Sequence, residues 1–229
     1  MISIALSFDS GILFCAAVKN SVASQMYSES ASIFPREYGA KSGDTCSIFL
    51  LSEPIDCGVA AVQYCEHALD ILQPAEFTID RMRATVENSL SEIYQRQPEV
   101  TMLVALYSSS ERLYSAFRTS GAALKELAGY DCQGSAAYLG HYLIRDRYRA
   151  MQSMDGLDLR SVFAIAAETL DGVRECCEGC AESAEILVLY ANGRKSGVQS
   201  LWQGRRELPE PAPHRIEHAR SKHFDPPRI

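Results

Sequence analysis

The sequence contains no run of about 18 apolar residues, the length a helix needs to cross a bilayer, so no spanning helix and no membrane partner are expected. No basic region precedes its first apolar run, which argues against a secretory signal. Positive charge is in short supply: 22 Lys and Arg stand against 29 Asp and Glu, and a net charge of −7 speaks against a nucleic-acid surface. Metal ligands are scarce in the same way. The one dense thiol cluster, Glu175-Cys176-Cys177-Glu178-Gly179-Cys180, has no second CxxC or HxxxH pair to complete a tetrahedral site, so neither a metal nor another cofactor is expected. The first residue, Met1, has neither hydroxyl nor thiol.

What remains is a globular chain. Of its 229 residues 47% are hydrophobic and 22% charged, values typical of a packed domain, and the length buries a core without disulfide staples. Nothing between residues 1 and 205 reads as a linker, so that span is expected to be one domain. Eight cysteines are too sparse for a disulfide scaffold, and most lie in apolar runs where a thiol packs as a small hydrophobe. The chain therefore reads as cytoplasmic. Residues 206–229 differ: they hold five of the nine prolines and three of the five histidines, a composition that builds no core of its own and predicts an extended tail.

Periodicity divides the domain. Alternating β-formers at Ile2–Phe8 and Ile12–Ala17 flank the turn Asp9-Ser10-Gly11 and predict a hairpin. A short strand near Ala31–Pro35, the turn Ser42-Gly43-Asp44 and a strand at Cys46–Ser52 follow. Two helices come next, the first over Pro54–Gln73 and the second capped by Thr78. Strands at Thr101–Tyr107 and Leu113–Arg118 form another hairpin, and Tyr130–Gln133 leads through Gly134-Ser135 into a helix over Ala136–Arg149 with Leu139, Tyr142 and Leu143 inward. Asp158 opens a fourth helix, and strands at Glu185–Tyr190 and Val198–Trp202 close the domain. Strands grouped in this way favour antiparallel sheets, and helix pairs can cover their outer faces. The expected fold is α+β, a four-layer α/β/β/α sandwich of two antiparallel sheets.

Three stretches carry a family resemblance. "SFDSGILFCAAVKN", "CQGSAAYLGHYL" and "DLRSVFAIAAETLDGVRECCEGCAESAEILVLYANG" resemble the first hairpin, the Gly-Ser turn into a helix, and the closing helix, loop and strand of the proteasome β-subunit family of amino-terminal nucleophile hydrolases, in particular its bacterial proteasome-like members. The resemblance covers roughly residues 1 to 203. It implies a threonine-type endopeptidase fold, in which the first residue's side chain attacks and its own α-amine serves as base.

Carried over residue by residue, that resemblance places Met1 at the nucleophile, Ala17 at the family's Asp, Ser32 at its Lys and Glu53 at the glycine whose N–H steadies the oxyanion. Ser135 is kept at the position that assists the amine, although its simpler role is to cap the following helix. Lys19 lies near the missing Asp without supplying a carboxylate, and Glu178 falls near the second acidic position. Four reactive groups replaced together imply a non-catalytic subunit that acts by assembling into a ring-type oligomer, alone or beside a catalytically complete paralogue. The enzyme alternative is residual or altered hydrolysis through Ser3 after trimming or through Cys15. Ser3, however, stands about 6.6 Å along the strand from the first residue, and Cys15 has no identified base. His141, Tyr138, Tyr142 and Tyr148 are expected in the core or at an interface.

Overall fold

In the computed structural model of the protein the described residues are 2–18, 33–38, 45–53, 55–96, 100–154, 156–177, 183–193 and 195–200. The first half runs β1 (Ser3–Phe8), β2 (Gly11–Val18), β3 (Ile33–Tyr38), β4 (Thr45–Glu53), α1 (Ile55–Asp70) and α2 (Ile79–Tyr94). The second half adds β5 (Thr101–Ser108), β6 (Leu113–Ser120), β7 (Ala123–Glu126), β8 (Tyr130–Gln133), α3 (Ala137–Met154), α4 (Leu159–Cys176), β9 (Ser183–Tyr190) and β10 (Lys195–Ser200). The expected turn at residues 42–44, the residues of the Cys-rich stretch beyond Cys177, and the tail 206–229 lie outside the described residues.

Two five-stranded antiparallel sheets result, in the orders β10-β9-β2-β1-β8 and β3-β4-β5-β6-β7. Period-2 alternation sorts their side chains into separate cores. Ile2, Ile4, Leu6 and Phe8 of the first hairpin, with Leu13 and Cys15, pack against α3 and α4. Ala5, Ile12, Phe14 and Ala16 face the other way and meet Ile48, Leu50, Leu103 and Ala105 of the second sheet. A third core lies between that second sheet and α1 and α2. Three apolar layers between four structural ones make the expected α/β/β/α sandwich.

Helix starts follow the chemistry that predicts them. Thr78 Oγ1 accepts the Arg81 N–H at 3.3 Å, and Asp158 Oδ1 accepts the Ser161 N–H at 2.8 Å, each supplying a partner to an amide the helix itself cannot satisfy. β3 occupies Ile33–Tyr38, later than expected, and tolerates Pro35 because it is an edge strand with one side unpaired.

Two expectations need correction. β7 is absent from the sequence reading because only Leu124 of its four residues is buried, which leaves no alternation to detect. α2 fixes it instead: the Arg83 guanidinium donates to the Leu124 carbonyl at 2.7 Å, and Glu87 accepts the Leu124 N–H at 2.8 Å. On α3 the inward stripe is Gly140, Ile144 and Tyr148, so Tyr142, about 200° round the helix from Ile144, points out at 68% exposure. Tyr138 points out beside it at 73%. Tyr148 does pack in the core, where its hydroxyl donates to the Ser7 carbonyl at 2.8 Å.

Candidate functional site

The hairpin of β1 and β2 brings the start of one strand beside the end of the other. Ser3 pairs with Ala16, and the Ala17 N–H donates to the Ile2 carbonyl at 3.1 Å. On the outer side of β1, α3 comes close: a Cβ built on Gly140 would stand 2.5 Å from Ile2 Cδ1 and 3.0 Å from Cys132 Sγ. A side chain there would have to displace the Ile2 terminal methyl, so the helix after Gly134-Ser135 rests directly on the beginning of the first strand.

Alternation divides this corner into an apolar and a polar side. Ala17 is 7% exposed and belongs to the helix-side core with its β9 partner Ala184 and with Ile186. Ser3 faces the second sheet, where its hydroxyl donates to the Leu51 carbonyl at 2.6 Å. Gln133, Ser3, Ala16 and Glu185 are register partners across four adjacent strands, forming one row on that inner face. Glu185 Oε2 accepts the Ile33 N–H from the opposite sheet at 3.3 Å, and the buried Gln133 Oε1 has no hydrogen-bond partner among the described residues.

Of the five positions carried over by resemblance, the structure describes three. Ala17 is a buried apolar residue, as above. Glu53 ends β4 opposite Thr101, just past a register irregularity that follows Leu51. Ser135 is exposed in the turn between β8 and α3, after Gly134, whose φ of 102° suits glycine. Met1 and Ser32 lie outside the described residues, as do Lys19 and Glu178. The alternative nucleophiles are both sealed. Ser3 is fully buried with its hydroxyl proton committed to a carbonyl, and burial pushes the Cys15 thiol up to about 12.

Sequence reasoning missed a second cluster. Asp131, 3% exposed at the edge strand β8, accepts the Cys132 N–H through Oδ1 at 2.9 Å, and His141 Nε2 of α3 lies 3.1 Å from the same oxygen. Arg118 of β6 reaches to 3.6 Å from Oδ2, which has no hydrogen bond of its own. The cluster ties a helix and both sheets through one carboxylate. His141 is thus neither a sealed core residue nor an isolated surface one: it is about 40% exposed and carboxylate-bound. The available signal was the alternation of Tyr130-Asp131-Cys132-Gln133, which sets two polar residues on the face opposite Cys132. Among the described residues no group of three His, Cys, Asp or Glu could hold a metal ion.

Two antiparallel sheets sandwiched by helix pairs, with the first hairpin at the corner where β1 begins, define the fold class. Solved structures with this fold include an Anbu (ancestral beta-subunit) from Yersinia bercovieri at TM-score 0.68 and 11% identity, covering 96% of this chain and 92% of that one. Anbu from Hyphomicrobium sp. strain MC1 matches at TM-score 0.67 and 11% identity over 100% of both chains. The helical assembly of the Anbu complex from Pseudomonas aeruginosa matches at TM-score 0.67 and 8% identity, over 90% of this chain and 88% of that one. No family model matches the sequence, and no curated protein matches it. The resemblance to bacterial proteasome β subunits is corrected accordingly: sequence comparison does not place the chain in that family, and at these identities the structural likeness is one of fold.

Proposed function

We propose that the chain is a non-catalytic subunit whose work is assembly, either with further copies of itself or beside a catalytically complete paralogue. The observation that carries this reading is the closure of the β1–β2 corner, where Ala17 is packed among aliphatic side chains and the Ser3 hydroxyl is spent on the Leu51 carbonyl. A nucleophile needs an adjacent base and access to substrate. The Ser3 hydroxyl donates to the Leu51 carbonyl, and Cys15 is fully buried with a raised pKa. Hydrolysis through either residue is therefore disfavoured.

The fold likeness supports the assembling role, since one of the matched structures is a helical assembly. A reducing, cytoplasmic setting is supported by the free thiols: seven described cysteines are unbridged. No helix among the described residues is long and apolar enough to cross a membrane.

Native mass measurement of the full chain tests the reading directly. A mass of several subunits is expected, together with no turnover of peptide substrates by material whose leading methionine is verified by mass spectrometry. A strictly monomeric chain, or steady peptide turnover abolished by a reagent that attacks terminal threonine or serine, would remove it.

A further inference from the structure

Among the described residues five large apolar side chains stand exposed, and four of them lie on opposite outer layers of the sandwich. Tyr138 and Tyr142 are on α3, at 73% and 68% exposure; Tyr64 is on α1 and Ile71 directly follows it, at 44% and 70%. On α3 the two tyrosines continue into Arg145 and Arg149. Spacings of four, three and four residues place all four side chains in one stripe, on the face opposite Gly140, Ile144 and Tyr148. Tyrosine and arginine are the residue types that concentrate binding energy at protein interfaces.

The two outer layers differ in net charge. α3 and α4 together have five arginines and four carboxylates, with Arg145 paired to Asp146 and Arg147 to Glu168. The described side chains of α1 and α2 include five carboxylates and two arginines. Asp146 lies between Arg145, which pairs with it, and Arg149, whose charge also acts on it, while Glu92 of α2 accepts the Tyr64 hydroxyl beside the exposed α1 face.

We propose that the stripe Tyr138, Tyr142, Arg145 and Arg149 docks on the Tyr64, Ile71 and Glu92 patch of a second copy of this chain. The inference rests on the assembling role and names the two surfaces that carry it. Because the patches occupy opposite layers, the contact is head-to-tail: each junction leaves one stripe and one patch unused, and growth continues into a ring or a helix. A symmetric contact of stripe on stripe would stop at two subunits.

Two single substitutions separate these arrangements in the full-length protein. Tyr142→Glu spoils the stripe and leaves the patch; Ile71→Glu does the reverse. With wild type assembled, each variant alone is expected to run as a monomer, and an equimolar mixture is expected to give a dimer through the one remaining intact junction. Far-UV circular dichroism and a single cooperative thermal transition check that each variant is folded, its midpoint free to fall with the loss of association; Tyr142→Ala and Ile71→Ala serve where a glutamate disturbs folding. Persistence of the wild-type oligomer in either variant, or a mixture that stays monomeric, overturns the docking assignment while leaving assembly itself intact. A monomeric wild type overturns both.

Discussion

The Ser3 hydroxyl donates to the Leu51 carbonyl at 2.6 Å, joining the first strand of one sheet to β4 of the other beside the apolar core between them. It does so where β4 departs from regular register, between Leu51 and Glu53. A buried hydroxyl must find a partner or lose its hydration without return. Here the partner is structural, and the bond pins the two sheets together at the corner where β1 begins.

Ser3→Ala is therefore expected to lower stability by about 1 kcal/mol, the usual net worth of an intramolecular hydrogen bond. Urea unfolding followed by circular dichroism measures it, with an unchanged m-value showing that the unfolded state is not the cause. The oligomer observed for wild type should persist, since Ser3 is buried in the interior. A variant as stable as wild type would mean that the bond contributes nothing.

Much of this corner was legible from the chain. The alternation of residues 2–8 and 12–17 assigned both faces of the hairpin, and Thr78 and Asp158 announced their helices through side chains that accept an amide. Information carried by tertiary register was not legible. Gln133 and Glu185 share a row with Ser3 only because β8, β1, β2 and β9 are neighbours in that order, although they lie far apart in sequence. The direction of Tyr142 failed for a more local reason: the apolar residues of α3 span a broad arc, and contact with β1 and β8, centred on Gly140, decided which part of it faces inward.

Alkaline pH should loosen the fold through its buried thiols. Burial raises Cys15 and Cys65 to about 12 and Cys46 to about 11, and it also raises Cys132, while unfolded thiols keep their ordinary value near 9. Between those values the unfolded chain loses protons that the folded chain retains. The stabilisation is thus complete below about pH 9 and is lost as pH rises through the folded values, at up to roughly 1.4 kcal/mol per pH unit for each such thiol. Urea midpoints measured from pH 8 to 11 should fall, and Cys15→Ala should make the slope shallower. A midpoint flat over that range would show that the thiols do not couple to folding.

The Asp131 cluster predicts a ranked coupling. His141 is 3.1 Å from the nearly sealed carboxylate, whereas Arg118 stands 3.6 Å away. His141→Ala removes one of the two groups on Asp131 Oδ1, which keeps the Cys132 N–H, and is expected to cost about 1 kcal/mol. In an Asp131→Asn background the same substitution should cost much less, because the charge it serves is gone. Arg118→Ala should cost less than His141→Ala beside the native Asp131, since its guanidinium is the farther of the two groups. Equal losses from His141→Ala in both backgrounds would show that the two residues do not interact.

The approach of α3 to the start of β1 makes the sharpest test, because steric conflict can be relieved at a chosen atom. A Cβ on Gly140 would stand 2.5 Å from Ile2 Cδ1, and Ile2 is fully buried. Alanine favours the helix by about 1 kcal/mol over glycine, yet inserting a methyl group into a filled core commonly costs about 1–3 kcal/mol. Gly140→Ala is accordingly expected to destabilise. Ile2→Val deletes the conflicting Cδ1 and should by itself cost about 0.5–1.5 kcal/mol. Cys132 Sγ, 3.0 Å away, remains as a milder contact in the double variant. The double variant should therefore be more stable than the sum of the single losses predicts, with Gly140→Ala far less harmful on the valine background and the helix propensity gain now visible. Additive losses would place the conflict elsewhere, and α3 would then not rest on the first strand through Ile2.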